Sequence, residues 1–283
     1  MKPRFIKTLI LLSLLLSSCS QQPTYQADGY IEGKYTYIAT SVSGELKKLL
    51  VEKGRYVKKG EPLFSLDLEP ESDVYNATAE NVKQAIKAND ALLANLQYAK
   101  LTYERYKVLV PKKAIQQAQL DNAQSNYDAI LAEVAKGKAS IASATAALAE
   151  AKWRVQQKDV VAPVDGLVFD TYYRIGEYTV ADKAILSILA PQDIKVIFYV
   201  NSTNLSALQL GDSVTVRSGE NAPAFTAIIS YISPMAEYTP PVIYSTETNE
   251  KLIFRIEADF KKSDAEQLHP GMPATVKYHA HAK

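Results

Sequence analysis

Residues 43–66 and 165–188 repeat one another without a gap, and a long heptad-patterned segment separates the two copies. Aligning Gly44 with Gly166 also places Gly54 on Gly176, Tyr56 on Tyr178, Leu63 on Ile185 and Ser65 on Ser187. Each copy alternates short β-rich runs with turn residues. The runs are Leu46–Val51 and Pro62–Leu66 in the first copy, Leu167–Tyr173 and Ala184–Leu189 in the second. Glycines at matching positions point to the same tight turn made twice. Two such halves facing each other bury the apolar face of both, so the interruption has to leave and re-enter one small β-domain.

The intervening segment reads as helix. Between Asp73 and Lys158 the only breakers are Pro111 and Gly137, in a background of Ala, Leu, Lys, Gln and Glu. Residues spaced by alternating threes and fours run from Val82 through Asn89, Leu96, Ala99, Tyr103 and Tyr106 to Val110. A second series runs from Leu120 through Ala123, Tyr127, Val134, Gly137 and Ala151 to Val155. Sustained spacing of this kind predicts a coiled coil, with Asn89 as a polar seam residue of the sort that fixes register. Pro111 stops the pattern, and the midpoint of the interruption falls near Ala114. A hairpin turning at Pro111–Ala114 has two arms of roughly 40 residues, each about 60 Å long. Periodicity alone also fits an inert structural spacer.

At 283 residues and 47% hydrophobic content the chain can hold two or three small domains. The near balance of 32 basic and 31 acidic residues gives no footprint for nucleic acid or an acidic substrate. No GxSxG, Walker loop or CxxC is present, so the expectation is a protein that is not an enzyme and carries no cofactor. From Asp193 onward strands are predicted at Ile194–Val200, Ser213–Arg217, Ala224–Ile232, Lys251–Phe260 and Ala274–Tyr278. The histidines are His269, His279 and His281; no Cys or carboxylate cluster accompanies them, and 279–283 reads as a frayed tail rather than a metal site.

The N-terminus reads as an export signal. Lys2, Arg4 and Lys7 precede an apolar core, Leu9–Leu16, too short for a span that needs roughly 20 residues. Leu16-Ser17-Ser18-Cys19 resembles the bacterial lipobox, and Cys19, the only cysteine, is the expected lipidation site. Ser20 stands where an aspartate would direct retention at the inner membrane, which leaves the choice of membrane open. The stretch 19–28 is polar and reads as a tether.

The segments VSGELKKLLVEKGRYVKKGEPLFSLD and APVDGLVFDTYYRIGEYTVADKAILSIL resemble the two half-motifs of a lipoyl-like domain. Split around a helical hairpin, they resemble the HlyD-like periplasmic adaptor (membrane fusion protein) family, over about Gly29 to Thr275. The implied fold is mainly β with a long antiparallel α-helical coiled-coil hairpin, a split lipoyl-like (barrel-sandwich hybrid) domain and a β-barrel domain. Its expected boundaries are a signal peptide at 1–18 and the tether at 19–28. The barrel takes 29–40 with 192–278, the lipoyl-like domain 41–69 with 159–191, and the hairpin 70–158. Asp182-Lys183-Ala184 matches the sequence around the lipoylated lysine of carrier domains, but Lys183 lies inside the second half, opposite Gly60, rather than at the junction of the halves.

In adaptors that dock on TolC-type channels the tip carries Arg, Leu four residues on and Ser seven residues further. Arg105 and Leu109 meet that spacing, with Gln116 in place of the serine. The resemblance implies a homo-hexamer that joins an inner-membrane transporter, most like an ABC permease, to a TolC-type outer-membrane channel. It implies a periplasmic location with attachment through the N-terminal lipid, expected at the inner membrane although Ser20 leaves that choice open. Other classes that fit the residues are a spacer lipoprotein without a pump, a lipoyl-type carrier, and a solvated charge at Arg105 with mere packing at Leu109.

Overall fold

The computed structural model describes residues 24–219, 222–238 and 252–279. The signal-peptide, Cys19 and Ser20 expectations, together with His281, fall outside the described residues. The chain forms two compact units, one of residues 37–164 and 168–187, the other of residues up to 36, 165–167 and 188 onward.

In the first unit the sequence repeat becomes a structural one. Strands β2 (Gly44–Leu49), β3 (Tyr56–Val57) and β4 (Pro62–Leu66) recur as β6 (Gly166–Thr171), β7 (Tyr178–Thr179) and the start of β8 (Ala184–Asn201). Every counterpart lies 122 positions later, as Gly166 lies after Gly44. The halves exchange backbone hydrogen bonds reciprocally. Gly54 N donates to Val168 O at 2.8 Å, and its counterpart Gly176 N donates to Leu46 O at 2.8 Å. Likewise Leu46 N donates to Glu177 O and Val168 N to Arg55 O, each at 2.8 Å. Gly54 and Gly176 have φ of 87° and 91°, a left-handed turn that a side chain resists. Leu46, Val57, Leu63, Phe64, Val168, Ile185 and Leu186 are buried in this unit, and the adjacent pairs Leu63–Phe64 and Ile185–Leu186 show β4 and the start of β8 covered on both faces.

One turn differs between the copies. Gly60, at φ 85°, is replaced by Asp182 at φ 64°, and both amides bond equivalent carbonyls: Gly60 N to Ala162 O and Asp182 N to Thr40 O, each at 2.8 Å. Asp tolerates the left-handed region better than most residues. The residue that takes the place of Gly60 is therefore Asp182, not Lys183 as the sequence spacing was read. Lys183 stands one position on, exposed on the turn.

Helices α1 (Glu71–Leu109, 39 residues) and α2 (Gln117–Gln156, 40 residues) form the hairpin of the same unit. The predicted seam is the least exposed stripe of both helices, from Val82 to Val110 and from Leu120 to Val155. Two helices alone shield only that stripe, so the fully buried members are few and mostly small: Asn89, Ala99, Ala123, Val134 and Ala151. Asn89 meets Gly137, where an added Cβ would stand 2.6 Å from the Asn89 Oδ1. Tyr103 stacks on Tyr127 with centroids 5.8 Å apart and planes inclined by 6°.

The second unit is a barrel of β1 (Thr24–Ala39), β12 (Pro273–His279), β9 (Ser213–Arg217), β10 (Ala224–Tyr238), β11 (Leu252–Phe260) and β8, closed by pairing of β8 with β1. Alternate residues point inward: Ile194, Val196, Phe198 and Val200 on β8, Val214 and Val216 on β9, Val276 and Tyr278 on β12. Two short helices, α3 (Ser202–Leu205) and α4 (Lys262–Ala265), follow β8 and β11.

These helices mark a second internal repeat. Leu208, Gly211, Thr215 and Val216 recur 60 positions later as Leu268, Gly271, Thr275 and Val276. Gly211 N donates to Ile229 O at 2.9 Å, and Gly271 N donates to Ile31 O at 2.8 Å. The returning bonds also match: Ile229 N donates to Asp212 O and Ile31 N to Met272 O, each at 2.9 Å.

Three boundaries differ from the sequence expectation. Thr24–Asp28 is strand rather than tether, because Thr24 to Tyr30 pair in register with His279 to Pro273. That pairing also makes His279 the last residue of β12 rather than the start of a tail, with Nδ1 3.3 Å from Thr24 Oγ1. Finally β8 runs unbroken from Ala184 to Asn201 through the buried Pro191, where two strands were expected.

Candidate functional site at the hairpin tip and base

The tip is built by the end of α1 and a short turn. Val110 N donates to Tyr106 O at 3.1 Å, which carries the helix to the residue before Pro111. Ala114 N then donates to Leu109 O at 3.2 Å and Lys113 N to Val110 O at 2.9 Å, with Lys113 at φ 54°. Gln116, in an extended conformation at φ −79° and ψ 148°, opens α2, and its side chain makes no capping bond. Gln117 Nε2 donates to Asp121 Oδ1 at 2.8 Å one turn further on.

Arg105 and Gln116 are exposed, and Leu109 is half-buried. The structure brings all three to the distal end of the hairpin, on either side of one turn. Lys107 adds a second cation there, its Nζ 5.7 Å from the centroid of the Tyr103 ring. The seam residue Tyr103 thus joins the packed interior to the charged surface of the tip.

A further set of residues escaped the sequence reading. Tyr98, Leu101 and Val108 are 74%, 58% and 57% exposed. With Arg105 they follow steps of three, four and three along α1, on a face other than the Ala99–Tyr103–Tyr106 seam. That off-seam period was present in the sequence, masked by the stronger heptad pattern beside it.

At the other end, the hairpin is fastened to the split domain by a buried cation. Lys158 follows α2 and is 1% exposed. Its Nζ lies 2.8 Å from Glu71 Oε2 in the first turn of α1 and donates to Ser43 O at 2.9 Å. Its own carbonyl accepts from Leu66 N at 2.9 Å. Both helices and the first repeat half thereby converge on one side chain. Glu71 and Asp73 also sit where the positive end of the α1 dipole favours acids.

Among the described residues no group of three or more His, Cys, Asp and Glu side chains converges to hold a metal ion. No described helix is long and apolar enough to cross a membrane.

Comparison with known proteins bears on this geometry. The family described as "RND MFP, alpha-helical hairpin domain" matches residues 78–154, the greater part of both arms. MacA from Actinobacillus actinomycetemcomitans superposes with a TM-score of 0.75 at 19% identity, over 91% of this chain and 80% of that one. The chain shares the fold of MacA over most of its length. The membrane fusion protein Spr0693 from Streptococcus pneumoniae shares the fold at a TM-score of 0.66 and 17% identity, over 90% of this chain and all of that one.

Two relatives extend the likeness in sequence. The membrane protein YbhG of Salmonella gallinarum is 26% identical over 294 aligned positions, covering 90% of this chain and 88% of YbhG. A Haemophilus influenzae protein is 27% identical over 239 positions, and the chain spans 52% of its length. The likeness to HlyD-like periplasmic adaptors drawn from the two half-motifs therefore holds, and so does the expected fold class.

Proposed function

We propose that this chain is a membrane fusion protein, the periplasmic adaptor subunit of a tripartite efflux or secretion pump. It links an inner-membrane transporter of the ABC type to a TolC-type outer-membrane channel. The observation that carries this reading is the hairpin: 39 and 40 residues of helix leave one split β-domain and end in an exposed Arg105 and Gln116 flanking Leu109. At about 1.5 Å per residue such arms reach about 60 Å, a length suited to spanning between partners.

The remaining roles follow from the family likeness. Cys19 is the lipidated residue, the mature chain is periplasmic, and six copies assemble around the conduit. The tip residues Arg105, Leu109 and Gln116 meet the channel, and the transporter holds the opposite end. Such a chain works by geometry and binding, not by catalysis.

Crosslinking in intact cells, followed by purification of the tagged chain, tests the proposal. Recovery of an ABC permease and of an outer-membrane channel supports it. Recovery of the chain with neither membrane partner supports a spacer lipoprotein instead. A lipoyl or biotinyl mass on Lys183 would favour a carrier domain.

A further inference from the structure

The barrel unit contains a cavity of about 560 Å³. Its walls come from Gln26, Ala27 and Asp28 of β1, Tyr199 to Asn201 of β8, and single residues of α3, β10, β11 and β12. Its volume falls within the range of small-molecule sites, about 300–1,000 Å³.

Among the described residues the charged groups that line the cavity are the Asp28 and Glu237 carboxylates, with no Lys or Arg beside them. Two other cavities differ in this respect. One of about 510 Å³ sets Arg217 and Lys277 against Asp28, and one of about 390 Å³ at the hairpin base sets Arg154 against Glu71 and Glu150. Arg255, whose charge bears on Tyr199 of the lining, is held by Glu32 and Glu257, each at 3.1 Å.

The rest of the lining suits an organic rather than a bare inorganic cation. Ala27, Val200 and Ile253 give apolar wall, and Tyr199 and Tyr278 add aromatic rings. The Tyr278 ring is fixed from behind, stacked on Tyr25 with centroids 5.6 Å apart. Burial, the bond with Tyr30 and the nearby Glu237 carboxylate hold the Tyr199 phenol above its usual range, so it stays a neutral donor. A cation with an apolar body is matched by paired carboxylates beside aromatic and aliphatic surface.

We propose that this cavity, between the Asp28 and Glu237 carboxylates, binds a small organic cation. The proposal concerns the chain itself and stands apart from the pump assembly, so it is tested on purified protein alone.

The probe is benzyltrimethylammonium, titrated calorimetrically into the full mature chain, with benzoate as the anion of similar size. Saturable binding of the cation and none of benzoate is expected. The double variant Asp28→Asn with Glu237→Gln should weaken it by about tenfold or more. Glu133→Gln, an exposed change on the hairpin, should leave it unchanged. Circular dichroism of each variant separates lost binding from lost folding. No saturation up to about 10 mM cation overturns the proposal. So does equal binding of benzoate, or undiminished binding by a folded double variant. Saturable binding of calcium ion without binding of the organic probe overturns it as well.

Discussion

Lys158 Nζ and Glu71 Oε2 lie 2.8 Å apart, although the two residues stand 87 positions apart along the chain. The lysine side chain is 1% exposed and the glutamate 21%. Removing one partner of a buried pair leaves the other charge desolvated and unpaired, which typically costs 3–5 kcal/mol. Because Glu71 retains some solvent, Lys158→Met is expected to lose about 3 kcal/mol. Urea unfolding followed by circular dichroism measures it. The double variant Lys158→Met with Glu71→Gln should recover part of the loss, since no charge is then left behind.

Asn89 and Gly137 make a second coupled pair. The Asn89 Oδ1 is buried without a hydrogen-bond partner, and a Cβ at 137 would approach it to 2.6 Å. Helix propensity alone favours Gly137→Ala by about 1 kcal/mol. The Asn89 amide must turn aside to admit the methyl, so the crowding should cancel most of that gain. Asn89→Ala removes both the clash and the unmet acceptor, so in its presence Gly137→Ala should become stabilising. A thermal-unfolding double-mutant cycle reads that coupling directly.

Acid sensitivity is expected at Asp67. The Glu69 amide at 3.2 Å and the Lys47 ammonium at 3.2 Å hold its carboxyl below the usual range. A depressed folded-state value stabilises above the unfolded value, near pH 3.9, and that contribution disappears as pH falls through the folded value. Asp67→Asn should therefore be less stable than the parent at pH 7, and the difference should shrink as pH falls below the unfolded value. Stability measured from pH 7 to pH 2 checks the convergence.

Much of the architecture was legible in the sequence for physical reasons. The hairpin seam was, because burial on two long helices imposes one period that Val82 through Val110 and Leu120 through Val155 keep without a slip. The split domain was, because Gly54 and Gly176 mark turns that few other residues can make. The barrel repeat was not seen as one, since only scattered residues such as Leu208, Gly211 and Val216 recur and alternation of small hydrophobics is common to many strands. Thr24–Asp28 carries little apolar signal, and its strand is decided by the distant partner β12. Lys158 gave no sign at all, because a lysine that ends a helix is ordinary until chain closure brings Glu71 and Ser43 to it.

At the tip, Arg105 is exposed while Leu109 is partly packed. Arg105→Asp should accordingly leave thermal stability within about 0.5 kcal/mol of the parent. If the tip docks on a channel, the same change should abolish complementation of a deletion strain in an export assay. Leu109→Asp should lower both readouts, because it also disturbs the turn.

The off-seam stripe of Tyr98, Leu101 and Val108 predicts that more of α1 than its last turn is covered in the assembled state. Tyr98→Ser with Leu101→Ser should weaken self-association or channel capture while the isolated chain folds normally. Analytical ultracentrifugation and crosslinking distinguish the two effects.

The most direct measurement places a photo-crosslinking amino acid at position 116 and, separately, at position 133 midway along α2, in cells that carry the whole envelope. The account predicts an ultraviolet-dependent adduct between position 116 and an outer-membrane channel, with none from position 133. Adducts with the channel at neither position, in a chain that is correctly exported, would contradict it.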